Sequence, residues 1–100
     1  MAPRRPIPLV HPGEIIREDF IKAMNLSGYR VARDCQIPTA YLYELLKGRR
    51  PVSAQVALKL GRYFGVSPQW FLNLQAFYDL RRAELEFGER IARTVKPLAA

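Results

Sequence analysis

The chain is poor in the residues that build disulfides, metal sites and most catalytic centres, with one cysteine, one histidine and six glycines in 100 residues. A lone Cys35 excludes an internal disulfide and, within an apolar helical pattern, indicates a packed thiol in a reducing compartment. A lone His11 without a carboxylate cluster makes neither a metal site nor a nucleophile–base pair, so we expect it to cap a helix or pack. The glycines form no phosphate-binding loop. We therefore expect no enzyme and no cofactor.

Long apolar runs are also missing. No segment approaches the roughly 20 apolar residues that cross a bilayer, and the N-terminal MAPRRPIPLV is too interrupted by prolines and arginines to be a good signal peptide. A hydrophobic content of 49% with 25% charged residues is typical of one small folded domain. We expect a cytoplasmic protein with no membrane partner.

Positive charge is abundant and unevenly placed. The net charge is +7, and the segment 30–62 alone contributes +5, from seven cations and two anions. The cations are Arg30, Arg33, Lys47, Arg49, Arg50, Lys59 and Arg62. Such a basic patch is suited to nucleic-acid phosphate. The alternative is a solvated basic surface that only maintains solubility.

Five segments have helical periodicity, and none has strand-like alternation longer than three or four residues, so we predict an all-α fold. The predicted helices span 12–24, 27–34, 38–47, 53–65 and 67–87. Serines or prolines stand at the predicted starts, and Gly48 and Gly65 at two predicted ends. The predicted inward-facing residues are Ile15, Ile16, Phe20, Met24, Tyr29 or Val31, Ala32, Cys35, Leu42, Leu45, Val56, Ala57, Leu60 and Phe64.

The second and third predicted helices, joined by a short turn, have the pattern of a helix-turn-helix, which places its second helix in the DNA major groove. Ala32 is the small residue where the helices cross, and Leu42 and Leu45 project back into the core. Near the start of the third helix, side chains can reach base edges. The base-edge candidates are Thr39, Ala40, Tyr43 and Glu44.

Threonine and alanine suit a thymine methyl group, and a glutamate accepts from cytosine N4. Other polar residues are better placed to hold phosphate or sugar. The phosphate candidates are Ser27, Arg30, Tyr41, Lys47, Arg49 and Arg50. Alternatives stay open here: one of the two tyrosines only packs, Glu44 only pairs with Arg49 or Arg50, or these arginines belong to a solvated loop.

This segment resembles the Xre or Cro/cI-type helix-turn-helix, with the alanine at Ala32 and the apolar positions at Leu42 and Leu45. The resemblance implies a five-helix, lambda-repressor-like DNA-binding domain. Two positions depart from the family pattern. Gly28 replaces a glutamine that often touches phosphate, which leaves that contact to backbone N–H groups or Arg30. Gln36 replaces the glycine of the turn, at a cost of about 1 kcal/mol if φ is positive there.

The flanks HPGEIIREDF and SPQWFLNLQAFYDLRRAE resemble HigA-type antitoxins of bacterial toxin–antitoxin modules, and the likeness spans about residues 7–97. The resemblance implies a homodimer that represses its own operon. It also implies a complex with a HigB-type toxin, a small RelE-like ribonuclease that cuts messenger RNA on the ribosome. A stand-alone transcription regulator without toxin, and a protein-interaction module with a vestigial helix-turn-helix, are the competing hypotheses.

The fifth predicted helix carries more large apolar side chains than one face of a small domain needs, which favours a dimer interface. The dimerisation candidates are Trp70, Phe71, Leu74, Phe77 and Tyr78. We expect either Trp70 or Phe71 to close the monomer core instead. A two-fold dimer would present two recognition helices about one DNA turn apart, which predicts a pseudo-palindromic operator.

A basic toxin would be attracted to acidic residues of the first helix, namely Glu14, Glu18 and Asp19. The N-terminal arm, with Arg4 and Arg5, is a second candidate for contact with toxin or the minor groove. We expect one compact domain in three parts: an arm over 1–11, a helix-turn-helix core over 12–66, and a C-terminal helix for dimerisation over 67–100.

Overall fold

The computed structural model describes residues 9–99, and within this range the chain is helical with no strand. The helices are α1 (Pro12–Ile15, continued by a π-helical segment, Ile16–Lys22), α2 (Gly28–Cys35), α3 (Thr39–Leu46), α4 (Ala54–Phe64) and α5 (Pro68–Thr94). This confirms the all-α prediction of five helices. The arm arginines Arg4 and Arg5 lie outside the described residues.

Helix α1 begins with a histidine cap. Nδ1 of His11 accepts a hydrogen bond from the Gly13 amide at 2.9 Å, and Pro12 occupies the first helical position. From Ile16 the helix is π-helical, so side chains five residues apart share a face, and Ile16 and Ile21 are both buried. The predicted stripe is therefore wrong at Met24, which is 52% exposed.

Serine caps start α2 and α4 as predicted. The Ser27 hydroxyl accepts from the Arg30 amide at 3.1 Å, and the Ser53 hydroxyl accepts from the Val56 amide at 3.2 Å. Gly65 ends α4 with φ of 71°. Ser67 stands before Pro68 at the start of α5, but its side chain makes no capping hydrogen bond.

The core lies between α1–α4 and the first turns of α5. Its central side chains, including Leu42, Leu45, Leu60 and Phe71, have no exposed surface. Fully burying an apolar side chain of this size contributes about 1.5–3 kcal/mol. Val31, not Tyr29, faces inward from α2. Cys35 is buried, and this burial raises the pKa of its thiol, which confirms a packed thiol.

Helix α5 ends at Thr94, seven residues beyond the predicted end at Phe87. Gly88 lies within this helix and does not adopt the positive φ that commonly ends helices. Past its first turns, α5 leaves the core, and several of its large apolar side chains are exposed. These are Phe77, Leu80, Leu85 and Ile91. No helix in the described part of the chain is long and apolar enough to span a membrane.

Candidate nucleic-acid interface

Helices α2 and α3 pack through a small contact residue and two leucines. Ala32 is 1% exposed, and Leu42 and Leu45 are fully buried. A larger side chain at position 32 would have no space in this contact, because protein interiors are close-packed. These placements confirm the inward residues predicted for the helix-turn-helix.

The residue in the turn between the two helices has positive φ, which is the case for which the sequence predicted an energetic cost. Gln36 has φ of 55° and ψ of 45°. The Ile37 amide donates to the Ala32 carbonyl at 2.9 Å, and Lys59 of α4 donates to the Gln36 carbonyl at 2.7 Å. The turn thus retains the geometry that suits glycine, at a cost of about 1 kcal/mol for a non-glycine residue.

The close approach of Tyr43 explains why position 28 is a glycine. A Cβ atom at position 28 would lie 3.1 Å from the Tyr43 ring, which is closer than side chains normally approach. The glycine therefore lets Tyr43 of α3 lie across the start of α2 while remaining 39% exposed. Tyr43 both packs and faces solvent.

The other base-edge candidates occupy the start and middle of α3. Thr39 and Ala40 are exposed in its first turn, and Glu44 is half-buried one turn later. Arg49 approaches Glu44, with 3.5 Å between Nη1 and Oε1. The ion pair considered as the alternative for Glu44 is therefore formed with Arg49. Because this pair is solvent-exposed, it contributes only about 0–1 kcal/mol.

The basic loop after α3 is anchored by Tyr41. Its hydroxyl donates to the Pro51 carbonyl at 3.4 Å, and the Arg50 guanidinium carbon lies 4.9 Å from the centre of its ring. Tyr41 therefore orders the loop by packing and by a cation–π contact. Lys47, Arg49 and Arg50 are exposed.

Two polar residues outside the helix-turn-helix also support this loop. Arg17 of α1 donates to the Leu46 carbonyl at the end of α3, at 3.2 Å. Gln75 of α5 accepts from the Val52 amide at 2.8 Å. Neither residue was among the predicted site residues. Gln75 had a detectable signal, because it follows Phe71 by four residues and so lies on the buried face of α5.

On α2, the phosphate candidates Ser27 and Arg30 have partners within the protein. Ser27 caps the helix, and Arg30 lies 3.5 Å from Asp34. The Tyr63 hydroxyl donates to Asp34 at 2.7 Å, and this hydrogen bond, with the charges of Arg33 and Arg30, lowers the pKa of Asp34. Arg30 remains largely exposed, so the Asp34 contact leaves its guanidinium accessible.

The dimerisation candidates do not share one environment. Phe71 is fully buried, so its assignment to a dimer surface is corrected: it closes the monomer core, as expected for one member of the Trp70–Phe71 pair. Trp70 packs edge-on against Phe71 but stays 39% exposed. Tyr78 contacts His11 with ring centres 4.8 Å apart. Leu74 is half-buried, and Phe77 is 61% exposed.

The exposed apolar surface extends along the outer part of α5 through Leu80, Leu85 and Ile91. Leu85 was among the large apolar side chains noted in the sequence, whereas Leu80 and Ile91 were not. The acidic residues of α1 are also exposed. Glu18 pairs with Lys22 at 3.0 Å, and this hydrogen bond lowers the pKa of Glu18. Part of the negative charge on α1 is therefore balanced locally.

Comparison with known proteins places this arrangement in a family. The helix-turn-helix family profile matches residues 16–71. Virulence-associated protein I of Dichelobacter nodosus is 40% identical over 83 residues, which cover 83% of this chain and 77% of that protein. Antitoxin HigA-1 of Vibrio cholerae is 30% identical over 95 residues, which cover 95% of this chain and 86% of that protein.

A solved structure, described as Pseudomonas aeruginosa antitoxin HigA with the higBA promoter, superposes with a TM-score of 0.89 at 34% identity. The match covers 92% of this chain and 100% of that one. Similarity in sequence and fold therefore extends through α5 as well as the helix-turn-helix. The chain belongs to the Xre-type helix-turn-helix family and, within it, to the HigA-type antitoxins.

Proposed function

We propose that this protein binds a pseudo-palindromic operator as a homodimer, represses its own operon and neutralises a HigB-type ribonuclease toxin. The observation that carries the DNA-binding part is the position of the basic loop. Arg49 and Arg50 are exposed in the loop that follows α3, and Thr39 and Tyr43 are exposed on α3 itself. The P. aeruginosa HigA solved with promoter DNA supports this assignment.

In this proposal the residues divide between register and sequence recognition. Phosphates are held by four cations, Arg30, Lys47, Arg49 and Arg50, with Ser27 and Tyr41 beside them. Contacts of this kind to the DNA backbone set the register without reading bases. Thr39, Ala40, Tyr43 and Glu44 face base edges in the major groove. The protein acts by binding rather than by catalysis, in the cytoplasm where its operator lies.

The proposed dimer uses the apolar surface of α5. Phe77, Leu80 and Leu85 are each more than 60% exposed, an unusual number of large apolar side chains for one helix of a small monomer. Trp70, Leu74 and Tyr78 lie on the same helix with part of their surface accessible. Covering this surface with a second copy removes it from water and pairs two recognition helices.

An electrophoretic mobility shift on the protein's own promoter tests the DNA-binding part. Double alanine substitution at Arg49 and Arg50 should weaken binding and lower the slope of log affinity against log salt by about 3.6, since each subunit of the dimer loses two phosphate contacts and each contact contributes about 0.9. Binding that ignores this substitution, or no binding at low salt, contradicts the proposal and favours a protein-interaction module.

Co-expression with the product of the adjacent gene tests the antitoxin part. A HigB-type toxin should arrest growth alone, and this protein should rescue it. Reversing the charges of Glu14, Glu18 and Asp19 should weaken the complex if a basic toxin docks on α1. Promoter binding without any toxic neighbour would instead identify a stand-alone regulator.

A further inference from the structure

Gln75 is the only buried polar or charged residue in the part of the chain that the structure describes, at 7% exposure. Both ends of its amide are used. Oε1 accepts from the Val52 amide at 2.8 Å, and Nε2 donates to Oδ1 of Asp79 at 2.9 Å. Asp79 thereby orients the amide group so that its oxygen faces the loop.

Val52 is the residue through which this contact reaches the basic loop. It lies two residues after Arg50 and directly before Ser53, the cap of α4. Its side chain is also buried, at 3% exposure. Between Arg50 and Val52 stands Pro51, which has no N–H, so Val52 provides the first main-chain donor after the two arginines.

The loop is thus held from two sides. Tyr41 of α3 donates to the Pro51 carbonyl, and Gln75 of α5 accepts from the next amide. A buried amide that loses its acceptor is costly, so without Gln75 the segment would move to reach water. The guanidinium groups of Arg49 and Arg50 would move with it.

We infer that Gln75 is a positioning residue for DNA binding, which sets the path of the loop so that Arg49 and Arg50 reach phosphates. The inference rests on the proposed operator binding. It also means that α5, the proposed dimerisation helix, is directly connected to the phosphate-binding loop. Gln75 itself touches no DNA.

The first test replaces Gln75 with methionine, which has a similar volume but no strong acceptor. Operator affinity of Q75M should fall roughly hundredfold, because each of the two subunits loses about one arginine–phosphate hydrogen bond and each such loss costs about tenfold. The salt slope should fall by about two to four, because the loop of each subunit loses one or both of its arginine–phosphate contacts. The matched control is Q69M on the same helix, because Gln69 bonds only Asn73 in the structure; it should bind like the wild type.

A double-mutant cycle distinguishes a positioning role of Gln75 from a purely structural one. If Gln75 acts through the loop arginines, Q75M should add no further loss in a protein that already carries R49A and R50A. An additive loss would overturn the inference. If Q75M melts below the assay temperature, Q75N makes the same test, because its shorter side chain withdraws the acceptor but keeps the amide.

The double variant Q75E/D79N provides a rescue. It keeps the net charge, the acceptor for the Val52 amide and one hydrogen bond between positions 75 and 79. Its affinity and salt slope should approach those of the wild type. A wild type that fails to bind its promoter would sink the proposed function, whereas a binding wild type with unaffected Q75M and Q75N would sink this inference alone.

Discussion

The Lys59 ammonium nitrogen lies 2.7 Å from the main-chain carbonyl oxygen of Gln36, so α4 holds the left-handed turn that separates the two helices of the DNA-binding unit. A lysine counted as part of the basic patch therefore supports the turn. This hydrogen bond helps to offset the cost of a glutamine at positive φ.

Replacing Gln36 with glycine should increase the free energy of unfolding by about 0.5–1 kcal/mol, because glycine adopts positive φ without a Cβ clash. Urea denaturation measures the change. Asn25 is the matched control, since it has the same φ of 55° and asparagine tolerates this conformation. Asn25→Gly should therefore increase the free energy of unfolding by less than Gln36→Gly. Equal increases at both sites would contradict the explanation.

Acidification should weaken the His11 cap. Burial lowers the pKa of His11 from its ordinary value of 6.5, Asp79 opposes this shift, and Arg82 adds to it. The unfolded chain therefore holds the proton more tightly, so stability is full above pH 6.5 and declines as the pH falls below it, until the lowered folded pKa is passed. Protonation of Nδ1 also removes the acceptor for the Gly13 amide.

Thermal unfolding between pH 7.5 and 5.5 measures the effect of His11 protonation. The free energy of unfolding should decrease by about 1 kcal/mol over this interval, which is typical of a lost helix cap. His11→Asn retains a capping acceptor that does not titrate, so its stability should vary much less over this interval. His11 is the only histidine in the chain, which simplifies the comparison. An identical pH dependence in H11N would show that another group is responsible.

Glu44→Gln should relax sequence discrimination at one base pair by about 1–3 kcal/mol, because a carboxylate that accepts from cytosine is lost. The exposed pair with Arg49 is weak enough to be replaced by this contact. Competition binding with operators varied one base pair at a time measures the effect. An equal rise in affinity for every sequence would instead mean that Glu44 only neutralises Arg49.

Phe71 and Phe77 should behave differently although both were predicted at the dimer interface. Phe71→Ala opens a cavity in the core and should lower the free energy of unfolding by about 3–5 kcal/mol. Phe77→Glu should keep the helical content but shift the dimer toward monomer in sedimentation, since it places a charge on the exposed face of α5. If F77E leaves the monomer–dimer equilibrium unchanged, Phe77 does not belong to the dimer interface.

Much of the fold could be predicted from local sequence. Ser27 and Ser53 cap as expected, and Gly48 and Gly65 take positive φ at helix ends, because these signals act within a few residues. The inward residues of α2, α3 and α4 followed from periodicity. The π-helical segment after Ile15 did not, because its register depends on packing against the other helices.

The candidate site also combines features that local sequence predicts with features that depend on the tertiary structure. Composition and spacing identified a helix-turn-helix with a basic loop, since residue types and short separations determine both. Only the tertiary structure decided the partners of the individual side chains. Arg17 meets Leu46 across 29 residues, and Gln75 meets Val52 across 23. No local rule predicts contacts at such separations.

The chain by itself therefore determined that two short helices and a basic loop form a DNA-binding unit, because apolar period, caps and charge are local properties. The tertiary structure decided that Phe71 belongs to the core while Phe77 stays outside, and that α4 and α5 hold the turn and the loop. Those outcomes depend on which faces the helices bury against one another, and long-range packing decides that.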